Sequence, residues 1–157
     1  MKPEALPTER TLVLIKPDAI QRGLSGKILA RFERKGLKII GLKMMHLKDA
    51  ILREHYAHVV DRPFFAELSE FMSSAPVFAV CLEGHNAIDW VRKISGTSPE
   101  EFGTIRGDFS VSCQKNLIHS SDSTETASRE IVRFFEPDEL FEYPKESWRQ
   151  MYSECDA

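Results

Sequence analysis

The chain is short of the features that would mark it as secreted, membrane-bound or nucleic-acid-coating. It has three cysteines in 157 residues, Cys81, Cys113 and Cys155, and they are widely scattered. Neither a disulfide framework nor a zinc pattern fits that spacing, so a cytoplasmic, reduced protein is the simplest reading. No apolar run is long enough to cross a membrane. The opening "MKPEALPTER" is polar and lacks the apolar stretch of a secretory signal. The formal net charge is −3, which gives no general basic field for nucleic acid. Any anion site must therefore be local. There is no Gly-x-x-x-x-Gly-Lys-Ser/Thr phosphate loop, no internal repeat and no low-complexity segment. What remains is an ordinary globular balance, 42% hydrophobic and 29% charged. Length predicts one domain over residues 1–157, with a flexible arm over 1–9 and an acidic, aromatic C-terminal tail over 136–157 that wraps a surface.

The hydrophobic pattern alternates between strand-like and helix-like runs. "TLVLI" (11–15) reads as a buried strand stopped by Lys16-Pro17-Asp18. Ser25 is placed to cap a helix with Leu24, Ile28 and Phe32 on one stripe and Gly36 at its end. "LKIIGLKMM" (37–45) returns as a strand. Asp49 caps a second helix bearing Leu52, His55, Tyr56 and Val59, and Pro63 suits the first turn of a third. "VFAVCL" (77–82) is a strand, and Asn86 opens a helix through Trp90, Val91 and Ile94. Residues 96–117 read as a long loop, a length usually tied to function. Asp122 with Glu125 resembles a capping pair for a short helix, and "IVRFF" (131–135) reads as the last strand. The order predicts an α+β fold of the ferredoxin-like β-α-β-β-α-β kind, a four-stranded antiparallel sheet covered by helices.

Chemistry concentrates around that loop. "NLIHSSDS" (116–123) sets His119 among apolar residues, serines and an aspartate. Two readings stand open: a packed ring with a hydroxyl partner, or a nucleophile. Thr97, Thr104, Arg106, Lys115 and Asn116 precede it, Arg92 ends the helix before the loop, and Lys16 ends the first strand. Residues at strand ends and in adjoining loops can converge on one pocket. Lysine and arginine with hydroxyls and an amide form a polyphosphate clamp, and a histidine beside them could accept a phosphoryl group covalently. Glu130 could orient its ring. His55 and His58, three residues apart with no obvious third ligand, read as structural, and His46 and His85 as surface residues. Tyr56, Phe64 and Leu68 are equally compatible with core packing.

"TLVLIKPDAIQRGLSGKIL", "HYAHVVDRPFFAEL", "GTIRGDF" and "NLIHSSDS" together resemble the nucleoside diphosphate kinase family, over about residues 8–143. The resemblance implies a Mg²⁺-dependent ping-pong enzyme. It would move the γ-phosphate of a nucleoside triphosphate such as ATP to a nucleoside diphosphate through a phosphohistidine. His119 matches the nucleophile, and Lys16 the lysine on the transferred phosphate. Tyr56 matches a tyrosine near phosphates and ribose; Arg92, Thr97 and Arg106 match β-phosphate contacts. Asn116 matches a ribose contact, Phe64 the aromatic on which the base stacks, with Leu68 nearby, and Cys113 the small residue over its other face. Ser121 and Glu130 match the pair supporting the histidine. Mg²⁺ would enter on the nucleotide phosphates rather than on a protein metal site. The resemblance also implies a homo-oligomer, a hexamer from the long tail or a tetramer as in some bacterial members.

Three departures stand out. Gln114-Lys115 replaces Gly-Arg before Asn116, Cys113 replaces a small apolar residue, and "GTSPEEFGTIRGDF" is shorter than usual in a loop tied to subunit contacts. A nucleotide-binding protein with little turnover and a histidine phosphocarrier are the competing readings.

Overall fold

The computed structural model describes residues 6–156. Its scaffold is a four-stranded antiparallel sheet in the order β2-β3-β1-β4, from β1 (Glu9–Ile15), β2 (Lys38–Met45), β3 (Val77–Gly84) and β4 (Ile118–Ser120). Between them lie α1 (Pro17–Gln21), α2 (Ser25–Arg34), α3 (Asp49–His55), α4 (Phe65–Ser73), α5 (Ala87–Ser95) and α6 (Ile105–Phe109), and α7 (Thr124–Phe134) follows β4. Each β1 neighbour is distant in sequence, the split arrangement of a ferredoxin-like fold, as the alternating pattern predicts.

β1 is interior, and its apolar run is buried on both faces. Successive side chains on a strand point to opposite sides. Val13 and Ile15 join a core with Ile28, Phe32, Val80 and Val91, under α2 and α5. Leu12 and Leu14 join a second core with Leu52, Met72, Ala79, Ile131 and Phe134, under α3, α4 and α7. A one-residue slip would exchange these two sets, so the register is strongly specified.

Several local expectations are corrected. "IVRFF" is not a strand: Ile131–Phe134 completes α7, and the fourth strand is the three-residue β4 around His119. Ala127, Glu130, Ile131 and Phe134 form a buried stripe at helical spacing, and Val132 points to solvent. A five-residue apolar window cannot tell that stripe from a strand. The α7 cap is Ser123, whose Oγ accepts from the Thr126 amide at 3.1 Å, rather than Asp122 with Glu125. Ser25 and Asp49 are first helical residues, not side-chain caps, and α4 starts at Phe65 with Pro63 in the preceding turn. The second helix ends at His55, with Tyr56 as its C-cap and Val59 in a separate 3-10 turn. Lys16-Pro17-Asp18 does not simply stop a strand, because Pro17 starts α1 at a position where a missing N–H costs nothing. The long loop contains α6, capped by Thr104 Oγ1, which accepts from Gly107 N at 3.0 Å.

The arm expected over residues 1–9 does not hold from Leu6 onward. Residues 1–5 lie outside the described residues, but Leu6 is buried and Glu9 opens β1, its Oε1 accepting from the Ile88 amide at 2.9 Å. The tail lies along the open edge of β2. Phe141 N donates to Ile40 O at 2.8 Å, Tyr143 Oη to Ile39 O at 2.6 Å, and Trp148 Nε1 to Gly36 O at 2.8 Å. At Gly41 a Cβ would meet Leu140 Cδ2 at 2.7 Å, Phe135 Cε1 at 3.0 Å and Glu139 O at 3.3 Å, so a larger residue there would make the Leu140 and Phe135 side chains shift.

Candidate active site

Pairing with β1 sets the position of His119. The register places it opposite Leu14, and the Lys16 amide donates to Leu117 O at 2.8 Å, so the end of β1 and the start of β4 are tied together. Leu117 has a positive φ of 74°, Ile118 N donates across it to Asn116 O at 2.9 Å to close a strained γ-turn, and the Leu117 amide donates to Asp18 Oδ2 at 3.1 Å. Such a conformation costs a non-glycine residue about 1–3 kcal/mol. Strain of this kind persists only where surrounding structure holds it, here immediately before the candidate nucleophile.

His119 Nε2 lies 2.5 Å from Glu130 Oε2. Glu130 is 4% exposed, and Ser121 Oγ donates to the same oxygen at 3.3 Å. An ionised carboxylate only accepts, so Nε2 carries the ring hydrogen and Nδ1 keeps its electron pair. The sequence did not distinguish the two nitrogens; this contact does.

Lys16 Nζ donates to Asn116 Oδ1 at 2.7 Å, joining two of the expected residues directly. Burial, and then the nearby Arg106, push its pKa down to about 8. Arg106 spends its guanidinium on backbone: Nη1 to Gly96 O at 2.7 Å, Nη2 to Ile118 O at 2.6 Å and Nε to Asn116 O at 3.2 Å. It thereby pins the loop on both sides of α6 while bringing a positive charge to the site. Burial pushes the Tyr56 phenol up to about 12, which keeps its O–H a donor.

Tyr56, Phe64, Leu68, Arg92, Thr97, Arg106, His119 and Glu130 line three hollows, whereas Lys16, Cys113, Asn116 and Ser121 line none of them. The largest, about 540 Å³, is lined by His55, Tyr56, His58, Arg92, His119 and Glu130 among others. A second, about 270 Å³, holds Arg92, Thr97, Arg106 and Ser120, so Arg92 borders both. A third, about 290 Å³, is an apolar groove between Phe64, Leu68 and Phe71 and the Gln114-Lys115 turn. Phe64 is 48% exposed, more than a core role would leave it. Cys113 is exposed but does not line this groove; its carbonyl accepts from Asn116 Nδ2 at 3.0 Å. Thr97 is turned inward on its own loop, its amide and Oγ1 both donating to Glu101 Oε2, at 2.6 and 3.1 Å. The shortened loop is closed on itself by these bonds.

Sequence reading missed Asp18, Glu101 and above all His55. His55 is buried, and its ring centroid lies 4.5 Å from that of His119. His55, His119 and Glu130 form a set whose ligand-type atoms lie within 4.8 Å of one another, a grouping that does not include His58. Arg133 Nη1 contacts His55 Nδ1 at 3.2 Å and can only donate, which leaves the ring hydrogen on Nε2 and no free pair for an ion. His46 is exposed and His85 half-buried, near the surface roles expected of them.

A strand-borne histidine backed by a buried carboxylate and ringed by Lys16, Arg92 and Arg106 is suited to phosphoryl acceptance. The family model for nucleoside diphosphate kinase matches residues 9–140. The chain belongs to the nucleoside diphosphate kinase family. It is 49% identical over 148 residues to the nucleoside diphosphate kinase of Parabacteroides distasonis, covering 92% of this chain and 97% of that one. It is 50% identical over 144 residues to that of Pyrococcus horikoshii, covering 88% and 92%. A halophilic nucleoside diphosphate kinase from Halobacterium salinarum, solved in complex with CDP, superposes with a TM-score of 0.89 at 43% identity, covering 94% of this chain and all of the other. The enzyme from Borrelia burgdorferi, solved as a transition-state mimic with vanadate and ADP, superposes at 0.81 with 36% identity, covering 89% and 94%. Family membership makes the chain a phosphotransferase between nucleoside tri- and diphosphates. Among the described residues no helix is long and apolar enough to cross a membrane.

Proposed function

We propose that residues 1–157 act as a single nucleoside diphosphate kinase domain in which His119 Nδ1 carries the phosphoryl group. The His119–Glu130 contact at 2.5 Å is the observation that carries this assignment. In the first half-reaction the Nδ1 electron pair attacks the γ-phosphorus, an N–P bond forms, and the bond to the β,γ-bridging oxygen breaks. The nucleoside diphosphate leaves with that electron pair. In the second, a terminal oxygen of a different diphosphate attacks the same phosphorus and the N–P bond breaks. The Nε2 hydrogen stays on the ring throughout, and Glu130, held by Ser121, offsets the positive charge that builds on the imidazole.

Lys16 and Tyr56 meet the transferred group. Arg92 and Arg106 meet the inner phosphates, Thr97 joins them once its hydroxyl leaves Glu101 Oε2, and Asn116 meets the ribose. Phe64 offers a face on which any base can stack, with Leu68 beside it and the Gln114-Lys115 turn, rather than Cys113, across the groove. The two hollows around His119 mix Arg92, Arg106 and neutral donors with the carboxylates Glu54, Asp89, Glu101, Asp122 and Glu130, and Mg²⁺, held chiefly by the nucleotide's phosphates, would take few ligands from the chain. When bound it neutralises phosphate charge. Exposed apolar side chains on β2 (Leu42, Met44), on the tail (Phe141) and on the short loop (Phe102) suit self-association, a hexamer being favoured over a tetramer. The three free cysteines fit a cytoplasmic setting.

The test is to mix the pure chain with γ-³²P-ATP and Mg²⁺ and then add GDP. An acid-labile, base-stable label that chases into GTP is the expected result, with EDTA preventing its formation. A bound nucleotide with no label on the chain would sink the phosphohistidine assignment, and a label that ignores GDP would favour a phosphocarrier.

A further inference from the structure

His55 lies against the candidate nucleophile and has no task in the scheme above. Its ring stands edge-to-face with His119 (4.5 Å between centroids, 83° between planes), with Tyr56 (4.7 Å, 76°) and with Phe134 (5.2 Å, 80°). A histidine walled by three rings needs a reason to hold one tautomer, and Arg133 supplies it. A guanidinium has five hydrogens to donate and no electron pair to offer. Its Nη1 therefore donates to His55 Nδ1 at 3.2 Å, and the hydrogen of the neutral ring is on Nε2, which is buried without a hydrogen-bond partner among the described residues. Arg133 is itself held, its Nε donating to Glu54 Oε1 at 3.0 Å.

The consequence concerns His119. His55, His119 and Glu130 each place one ligand-type atom within 4.8 Å of the other two, and the His55 ring already stands edge-to-face on His119. With the hydrogen on Nδ1, His55 would lose its bond from Arg133 and with it the polar contact that fixes its ring against His119. The donor from Arg133 keeps that orientation. Glu130 and Arg133 are three residues apart on α7, so one helix face addresses both histidines. His55 also stays uncharged: burial first, then the positive neighbours His119, Arg133, His58 and Lys16, push its pKa down to about 2. The groups facing it are thus these four together with Tyr56 and Glu130.

We propose that Arg133 and His55 are positioning residues for His119: Arg133 locks His55 in its Nε2–H form, and the locked ring holds His119 with Nε2 on Glu130 and Nδ1 available for phosphoryl transfer. This rests on His119 as the acceptor.

Two variants test it, Arg133→Leu, which removes the donor, and Arg133→Lys, which keeps one. Long-range ¹H–¹⁵N spectra report which His55 nitrogen carries the hydrogen, and single-turnover labelling reports the phosphorylation rate. In the unaltered chain His55 should read as Nε2–H and not titrate between about pH 5 and 8. In Arg133→Leu the two tautomers should mix and phosphorylation should slow about tenfold, since small misplacements of reacting groups are costly. Nucleotide affinity should stay within about twofold, the split expected of a residue that orients rather than binds. Arg133→Lys should restore both rate and tautomer. An Nδ1–H ring in the unaltered chain, or equal losses in the Leu and Lys variants, would overturn the proposal. So would an Arg133→Leu chain with unchanged tautomer and rate. An unaltered chain that takes no label would overturn the acceptor reading and the positioning role with it. The tautomer is read without phosphotransfer and so separates that failure from a failure of the lock.

Discussion

The proposed phosphate end of the site and its proposed base end are built differently. At the phosphate end, His119, Lys16 and Arg106 sit on strand ends or a capped helix, and each makes defined polar contacts to the chain. At the base end, Phe64 is exposed and the facing turn, Gln114-Lys115, is held by backbone bonds to Ser112 Oγ. Preorganisation is concentrated where charge moves, and the nucleoside meets a surface with an apolar face and little fixed polar instruction. Such a division suits an enzyme that must transfer one group between many nucleotides.

The sharpest break of that contrast is His119→Ala. Transfer should vanish while nucleotide affinity stays within a few fold, checked by labelling and equilibrium binding; residual turnover at the normal rate would contradict the assignment. Arg106→Ala should lower kcat by about 10²–10³-fold through lost charge stabilisation. It should also unfold earlier. Three lost bonds to carbonyls at about 1 kcal/mol each amount to roughly 6–12 °C in Tm for a chain this size. Calorimetry beside kinetics would separate the two roles, and an unchanged Tm would show the carbonyl contacts to be dispensable.

Lys16 gives a pH test. Its folded pKa lies near 8, below its ordinary 10.5, so its charge is lost as pH rises through about 8. kcat/KM, which reports the free enzyme, should fall above that pH, by up to tenfold per unit. Folding stability moves the other way. The unfolded chain binds more protons at this site between about 8 and 10.5, so the Lys16 contribution to stability rises across that window. A flat kcat/KM profile to pH 10 would show the lysine charge to be unnecessary. The smallest effect is expected at the base end. Phe64→Ala should weaken every nucleotide by about fivefold, the low end of stacking on one exposed ring. Unequal losses among ATP, GTP and CTP would reveal reading of base edges.

Most of this site could be read from the sequence because its residues fall in four short motifs. Lys16, Tyr56, Arg106, Asn116 and His119 needed only a sheet to bring them together. The alternation of apolar runs predicted that sheet, and β1 and β3 are where the pattern puts them. The last strand was misplaced because two adjacent segments compete. β4 has three residues and a polar end, whereas "IVRFF" is more apolar yet belongs to a helix whose stripe starts at Ala127. Local composition cannot weigh pairing with Leu14 against packing on Leu12. His55 was invisible for the same reason. Its meaning lies in Arg133 and His119, 78 and 64 positions away, and no spacing rule links them.

The tail along β2 has a consequence for the order in which the chain is made. Tyr143 bonds to Ile39 across 104 positions and Trp148 to Gly36 across 112. A ribosome adding about 5–20 residues per second leaves the outer edge of β2 without its cover for roughly 5–20 seconds after that strand emerges. An uncovered strand edge is a template for pairing with another chain. The segment from Phe141 to Trp148, made long after β2, therefore acts as a seal on the growing sheet, and a chain cut short before Phe141 leaves that edge open.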